Sequence, residues 1–137
     1  MMDDSKLYAQ AQQAALSAYA PYSKFRVGAA LLCSDGSVFT GVNVENRSFG
    51  LTVCAERNAV GAALVAGHRD FIAIAVATPD AEYPVSPCGA CRQVLSEFGG
   101  DSFRVMFGNA SDSIVSTDMG KLFPHDALHE LSGAGGA

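Results

Sequence analysis

Three cysteines and one glutamate stand where two helices should begin, in Cys54-Ala55-Glu56 and in Pro87-Cys88-Gly89-Ala90-Cys91. Cys88 and Cys91 are three apart, so on the first turn of a helix they share a face and can grip one ion. Cys54 would complete the set from the other helix. Three thiolates bind zinc and leave its fourth tetrahedral position open, which is the arrangement of catalytic rather than closed structural zinc. Glu56, two residues from a ligand, is placed to handle the protons of a water activated there. Helix N-termini carry positive partial charge and free N–H groups, which lower thiol pKa and favour thiolates. Pro87 suits such a start, because its missing N–H is not needed there.

Two other uses of cysteine compete with this reading. A redox Cys-x-x-Cys pair has no need of a third cysteine or a flanking glutamate, and a structural zinc site needs a fourth ligand. The remaining cysteine, Cys33, lies at a strand end before Asp35-Gly36 and reads as a half-buried apolar residue. His68, His125 and His129 fall in a helix-terminal turn and in the tail, where surface or capping roles fit better than ligation. Three thiolates on one zinc leave a surplus negative charge, and Arg57, next to Glu56, is the nearest candidate to donate hydrogen bonds to the ligand sulfurs.

The elements that must hold these residues follow from periodicity. Leu7, Ala11, Ala14, Ala15 and Ala18 recur at helical spacing over 5–20, with Asp4 or Ser5 as N-cap and Pro21 as the stop. Apolar stretches over 26–33 and 38–44 flank Ser34-Asp35-Gly36-Ser37 and predict an antiparallel hairpin. An alanine-rich helix over 54–66 ending at Gly67, a buried strand over 71–77, a helix over 88–98 stopped by Gly99-Gly100 and a strand over 103–107 follow. Residues 114–116 add an edge strand, 119–124 a turn or short helix, and 132–137 a frayed end. This order predicts an α/β fold, a three-layer α/β/α sandwich with a mixed sheet of roughly five strands. Both cysteine clusters then fall at strand carboxyl ends, where open α/β sheets place ligands.

Composition narrows the partner. With 137 residues and 49% hydrophobic content, the chain is expected to be one catalytic domain over 1–137 with a single continuous core. Nine Lys plus Arg against 14 Asp plus Glu give a net charge of -5 and no basic run, which disfavours a nucleic-acid surface and favours a small ligand that is not strongly anionic. The polar start, Met1-Met2-Asp3-Asp4-Ser5-Lys6, has no apolar stretch behind it, so neither a secretory signal nor a membrane span is expected. A cytoplasmic protein with reduced thiols follows as the expectation, and there cysteines favour metal over disulfides.

Longer segments carry a resemblance. Ala20-Pro21-Tyr22-Ser23-Lys24-Phe25, Val27-Gly28-Ala29-Ala30-Leu31, Gly41-Val42-Asn43-Val44-Glu45-Asn46, Cys54-Ala55-Glu56-Arg57 and Pro87-Cys88-Gly89-Ala90-Cys91-Arg92-Gln93-Val94 are similar to the small homotetrameric zinc-dependent cytidine deaminases. The likeness runs from about residue 7 to about residue 107. The zinc motif alone marks the wider deaminase superfamily, whose known pattern is a Cys or His ligand, a nonligating Glu and Pro-Cys-x-x-Cys. Asn-x-Glu-Asn and Ala-Pro-Tyr-Ser narrow it to enzymes of free nucleosides.

The resemblance implies one zinc per subunit on Cys54, Cys88 and Cys91, with Glu56 as proton shuttle. It also implies Asn43 and Glu45 on the ribose 3′-hydroxyl, Phe25 packed on the nucleoside, and the Ala55 backbone N–H on the pyrimidine carbonyl. Residues 43 and 45 are two apart, so on a strand they share a face. Implied too are hydrolytic deamination of cytidine and 2′-deoxycytidine in pyrimidine salvage, a homotetramer, and residues 47–51, Phe49 among them, reaching into a neighbour's pocket. Relatives commonly place an aromatic a few residues after a Leu-Pro pair to cover a neighbour's substrate. Here Phe123-Pro124 is followed by His125-Asp126-Ala127-Leu128, so either Leu128 takes that place or the lid differs. The rival readings are a deaminase of another cytosine-bearing small molecule, such as a nucleoside antibiotic or a nucleotide, and a noncatalytic zinc-stabilised binding module.

Overall fold

The structure, a computed structural model, describes residues 2–128 and Leu131. Helix α1 (Asp4–Ala15) is followed by strands β1 (Gly28–Cys33) and β2 (Val38–Val42), helix α2 (Ala55–Val65), strand β3 (Phe71–Ala77), helix α3 (Gly89–Gly99), strands β4 (Arg104–Ala110) and β5 (Ser113–Asp118), and a short helix α4 (Met119–Leu122). The strands form one mixed sheet in the order β2-β1-β3-β4-β5. Only β3 and β4 are parallel neighbours; the other pairs are antiparallel.

Alternation along the central strands divides the core into two faces. Ala30 and Leu32 of β1, Ala73, Ala75 and Ala77 of β3 and Met106 of β4 pack with Leu7, Tyr8 and Ala11 of α1. Ala29, Leu31, Ile74, Val76, Val105 and Phe107 face the other way, onto Ala55, Ala59 and Ala63 of α2 and Leu95 of α3. Strand β1 is buried along its whole length, which explains its unbroken apolar sequence. Small residues let α1 and α2 lie close to the sheet. A Cβ on Gly28 would fall 2.1 Å from the Ala11 carbonyl oxygen, and one on Gly41 would fall 2.4 Å from the Ala55 carbonyl oxygen.

The expected three layers and five strands are present, with several boundaries moved. Helix α1 ends at Ala15 rather than near 20, and its N-cap is Asp3, whose side chain accepts from the Lys6 amide. Ser17 and Ala18 bond back only three residues, to Ala14 and Ala15, which tightens and ends the helix. Tyr19 then leaves to bridge Val44. Strand β4 runs three residues past 107, because β5 pairs alongside it as far as Ala110 and Ser113. Strand β2 stops at Val42, and Val44 carries only isolated bridges, to Tyr19 and Val53. The hairpin turn is as expected, with Gly36 at φ +90 and its N–H donating to the Cys33 carbonyl. His129 and the end at 132–137 lie outside the described residues.

Candidate metal centre and catalytic cavity

β2 and β3 run parallel to each other across β1, so the helices that follow them start at the same end of the sheet. Cys54 is the N-cap of α2 and Cys88 the N-cap of α3, both in extended backbone conformation. Neither makes the side-chain bond that an N-cap usually supplies, so both thiols are aimed elsewhere. Pro87 therefore precedes the cap instead of opening the helix, and its carbonyl accepts from Arg92 Nε at 2.8 Å.

The Sγ atoms of Cys54, Cys88 and Cys91 all lie within 4.8 Å of one another, and no other such group of three occurs among the described residues. Cys54 and Cys88 sulfurs are 3.9 Å apart. Sulfurs sharing one tetrahedral zinc at about 2.3 Å stand about 3.8 Å from each other, so the donor set fits the ion. Cys91 is fully buried while Cys88 is exposed and lines a cavity with Cys54, which leaves one side of the trio open.

One sulfur of the cluster, that of Cys54, is favoured as a thiolate. Hydrogen bonding from the Cys91 thiol, and then from Arg57, holds Cys54 down to about 5. Cys91 is pushed up correspondingly, by donating to Cys54 and by burial beside Glu56. Arg57 is one helical turn beyond Cys54, and its Nη2 donates to Cys54 Sγ at 3.3 Å. Cys33, expected to be half-buried, is fully buried in the core because β1 is covered on both faces, and it lies away from the trio. His68 bonds Asp35 at 2.9 Å and packs on Phe39.

Glu56 lines the same cavity and is 4% exposed. Burial, with the Cys54 sulfur as a further cause, pushes its carboxyl up to about 7. A group with that value holds and releases a proton near neutrality. The cavity measures about 200 Å³, with Phe25, Val27, Asn43, Thr78 and Ser86 on its walls. Ala55, also on its lining, is the first residue of α2, so its N–H has no partner within the helix. An adjoining concavity of about 290 Å³ shares Thr52 and holds Tyr22, Ser23, Glu45 and Phe49. Together they reach the range of small-molecule sites, about 300–1000 Å³.

Asn43 and Glu45 lie beyond the end of β2, Asn43 on the lining of the inner cavity and Glu45 on that of the adjoining one. Both are engaged with the loop that carries Phe25. Asn43 Oδ1 accepts from the Val27 N–H at 2.9 Å, and Nδ2 donates to the Phe25 carbonyl at 2.8 Å. Glu45 Oε1 accepts from the Tyr22 and Ser23 amides at 3.1 Å each, and Oε2 accepts from the Ser23 hydroxyl. That hydroxyl chiefly holds the Glu45 carboxyl below its ordinary range.

Sequence reasoning missed Thr52, Thr78, Val85 and Ser86 as cavity walls, and Arg92 as a fastener. Arg92 donates to the Pro87 carbonyl, to Ser86 Oγ at 2.9 Å and to the Leu122 carbonyl at 2.8 Å, tying the Cys88 turn to α4. The signal available for Thr78 was its place directly after a buried strand.

Residues 1–108 match the family described as the cytidine and deoxycytidylate deaminase zinc-binding region. A cytidine deaminase of Sporosarcina psychrophila is 50% identical over 123 residues, covering 90% of this chain and 90% of that protein. One from Halalkalibacterium halodurans is 50% identical over 123 residues, covering 90% and 92%. The crystal structure of a cytidine deaminase from Burkholderia pseudomallei superposes with a TM-score of 0.85 at 48% identity, covering 90% of this chain and 98% of that one.

Proposed function

Because the chain belongs to the cytidine and deoxycytidylate deaminase family, we propose for it the hydrolytic deamination of cytidine and 2′-deoxycytidine to uridine and 2′-deoxyuridine, with release of ammonia. The observation that carries this reading is a buried carboxyl, Glu56, beside a three-sulfur cluster on the lining of a cavity. Cys54, Cys88 and Cys91 hold the zinc, which when bound supplies Lewis-acid activation of water. Glu56 takes a proton from water as the oxygen adds to C4 of the base and delivers that proton to N3. It then takes the proton left on the added oxygen and passes it to the 4-amino group, the C4–N bond breaks, and ammonia leaves. Uridine keeps the N3 proton and the new carbonyl.

The two concavities divide the ligand. The base enters the inner one, where the Ala55 N–H meets the pyrimidine carbonyl and Phe25 packs on the nucleoside. The sugar reaches outward from the inner concavity, where Asn43 lies, to the outer one, where Glu45 lies, with both residues on its 3′-hydroxyl and each using capacity left over from the loop bonds. No Lys or Arg is among the residues lining either concavity, and Glu45 faces the outer one, which favours nucleosides over nucleotides. The reading extends to one catalytic domain over 1–137, a cytoplasmic role in pyrimidine salvage, and a homotetramer. Exposed Phe49 and Leu51, 73% and 67%, beside the outer concavity support burial of residues 47–51 against a neighbour. No helix among the described residues is long and apolar enough to cross a membrane.

Incubation of the zinc-loaded protein with cytidine, 2′-deoxycytidine, cytidine monophosphate and a cytosine nucleoside antibiotic, followed by absorbance and ammonia release, tests this. Turnover of the two nucleosides well above the others is expected. Preference for the nucleotide or the antibiotic would move the substrate, and zinc binding without any turnover would leave only a binding module. Mass in solution decides the tetramer.

A further inference from the structure

Arg26 lies between two residues that wall the catalytic cavity, Phe25 and Val27, yet it lines a separate surface hollow together with Lys24 and Asp80. There one carboxylate takes three bonds from one residue. Asp80 Oδ2 accepts from the Arg26 backbone N–H at 2.9 Å and from Nε–H at 3.0 Å, and Oδ1 accepts from Nη2–H at 2.8 Å. Asp80 stands two residues beyond Thr78, a buried residue that also lines the cavity and directly follows β3, whose Ala77 pairs with Gly28 of β1; the Thr78 N–H is fixed to the Gly108 carbonyl at 2.9 Å. The bonds therefore span 54 positions of sequence and carry the contact between β1 and β3 on past the paired ends of those strands, in a hollow separate from the cavity.

They also complete the fastening of the loop. The amides of Tyr22 and Ser23 go to Glu45, that of Lys24 to the Ala20 carbonyl, that of Phe25 to Ser23 Oγ, and that of Val27 to Asn43. Arg26 is the one remaining N–H in the run 22–27, and Asp80 takes it. Lys24 sits at φ +61, a conformation a lysine adopts only when its surroundings impose it. Ordinary exposed ion pairs contribute little. A bidentate fork reinforced by a backbone donor is a stiffer connection.

We propose that Arg26 and Asp80 are a positioning pair that fastens the Phe25 loop to the segment that follows β3, and so governs nucleoside affinity without touching the nucleoside. This rests on reading the cavity as a nucleoside site. Both side chains are partly exposed, 40% for Arg26 and 27% for Asp80, so removing them opens no buried cavity.

The test compares Arg26→Ala, Asp80→Ala, the double variant and the shape-conserving Asp80→Asn with the zinc-loaded wild type. The measurements are KM and kcat for cytidine, zinc content, and amide hydrogen exchange at 22–27. Each single alanine variant is expected to raise KM roughly five- to tenfold with kcat within about twofold, and the double to match the singles instead of multiplying them. Exchange at 25–27 should accelerate about tenfold or more while the central strands stay unchanged. Unaltered KM, a fall confined to kcat, or additive singles would overturn the pair's role. A wild type that fails to deaminate cytidine would refute the nucleoside reading and with it the effect on affinity. The exchange measurement would still decide the connection itself, which unaltered exchange at 25–27 would refute.

Discussion

Gly41 of β2 and Ala59 of α2 meet backbone to backbone, such that a Cβ on Gly41 would stand 2.4 Å from the Ala59 nitrogen. The helix held at that distance carries Cys54 and Glu56 at its start, so the absence of one methyl group sets where the metal site can form. Gly41→Ala is expected to push α2 outward, to destabilise the fold by about 1–3 kcal/mol, and to reduce bound zinc. Gly61 lies in the same helix, and a Cβ there would meet nothing within 4 Å. Gly61→Ala should instead be neutral or stabilising, by up to about 1 kcal/mol, with full zinc. Thermal unfolding and metal analysis of the two variants separate crowding from a general effect of losing a glycine.

Glu56→Gln keeps the shape of the side chain and removes its ability to carry a proton. Zinc content should be unchanged and kcat should fall about 100- to 10,000-fold, the range for loss of a general acid–base group. Near wild-type turnover with zinc in place would remove Glu56 from the reaction.

Cys54→Ser, Cys88→Ser and Cys91→Ser should each weaken zinc binding about 100-fold or more, whereas Cys33→Ala, in the core away from the trio, should retain zinc and turnover. Chelation of the wild type should abolish activity and lower the melting temperature, and added zinc should restore both. Chelator titration with parallel thiol counting reads these outcomes directly.

What was legible in the sequence is what acts over short separations. Cys88 and Cys91 are one turn apart, Arg57 is three residues from Cys54, and the central strands carry unbroken apolar runs, so local spacing alone located them. The loop over 22–27 was opaque for the opposite reason. Its acceptors, Asn43, Glu45 and Asp80, lie 16 to 54 positions away, and no periodicity announces such a partner. The overrun of α1 has the same origin: alanines at 15 and 18 keep helical rhythm, while the bridge that draws Tyr19 to Val44 is set by the folded sheet.

Asp80 offers a pH dependence. The Arg26 side chain and amide hold its carboxyl down to about 2 from an ordinary 3.8. A carboxyl depressed on folding stabilises the protein above its unfolded value, and that contribution disappears as pH falls through the folded value. Wild type should therefore melt a few degrees above Asp80→Asn from neutrality down to about pH 5, and the difference should close between about pH 4 and pH 2. Paired melting curves across that window check it. A gap that persisted at pH 2 would mean that charge on Asp80 is not what holds Arg26.

Asn43 and Glu45, the two residues proposed to hold the sugar, are tied to the path of the backbone over 22–27. Anyone redesigning this enzyme for an unnatural sugar would reach for those two positions first, and each replacement would also release part of the loop that holds Phe25. Thr52, shared by both concavities, is the freer starting point for a library. Selections that randomise 43 and 45 without compensating changes at 22–27 should return mostly unstable proteins, so under the proposed sugar contacts a change of sugar requires a block of linked positions to change together.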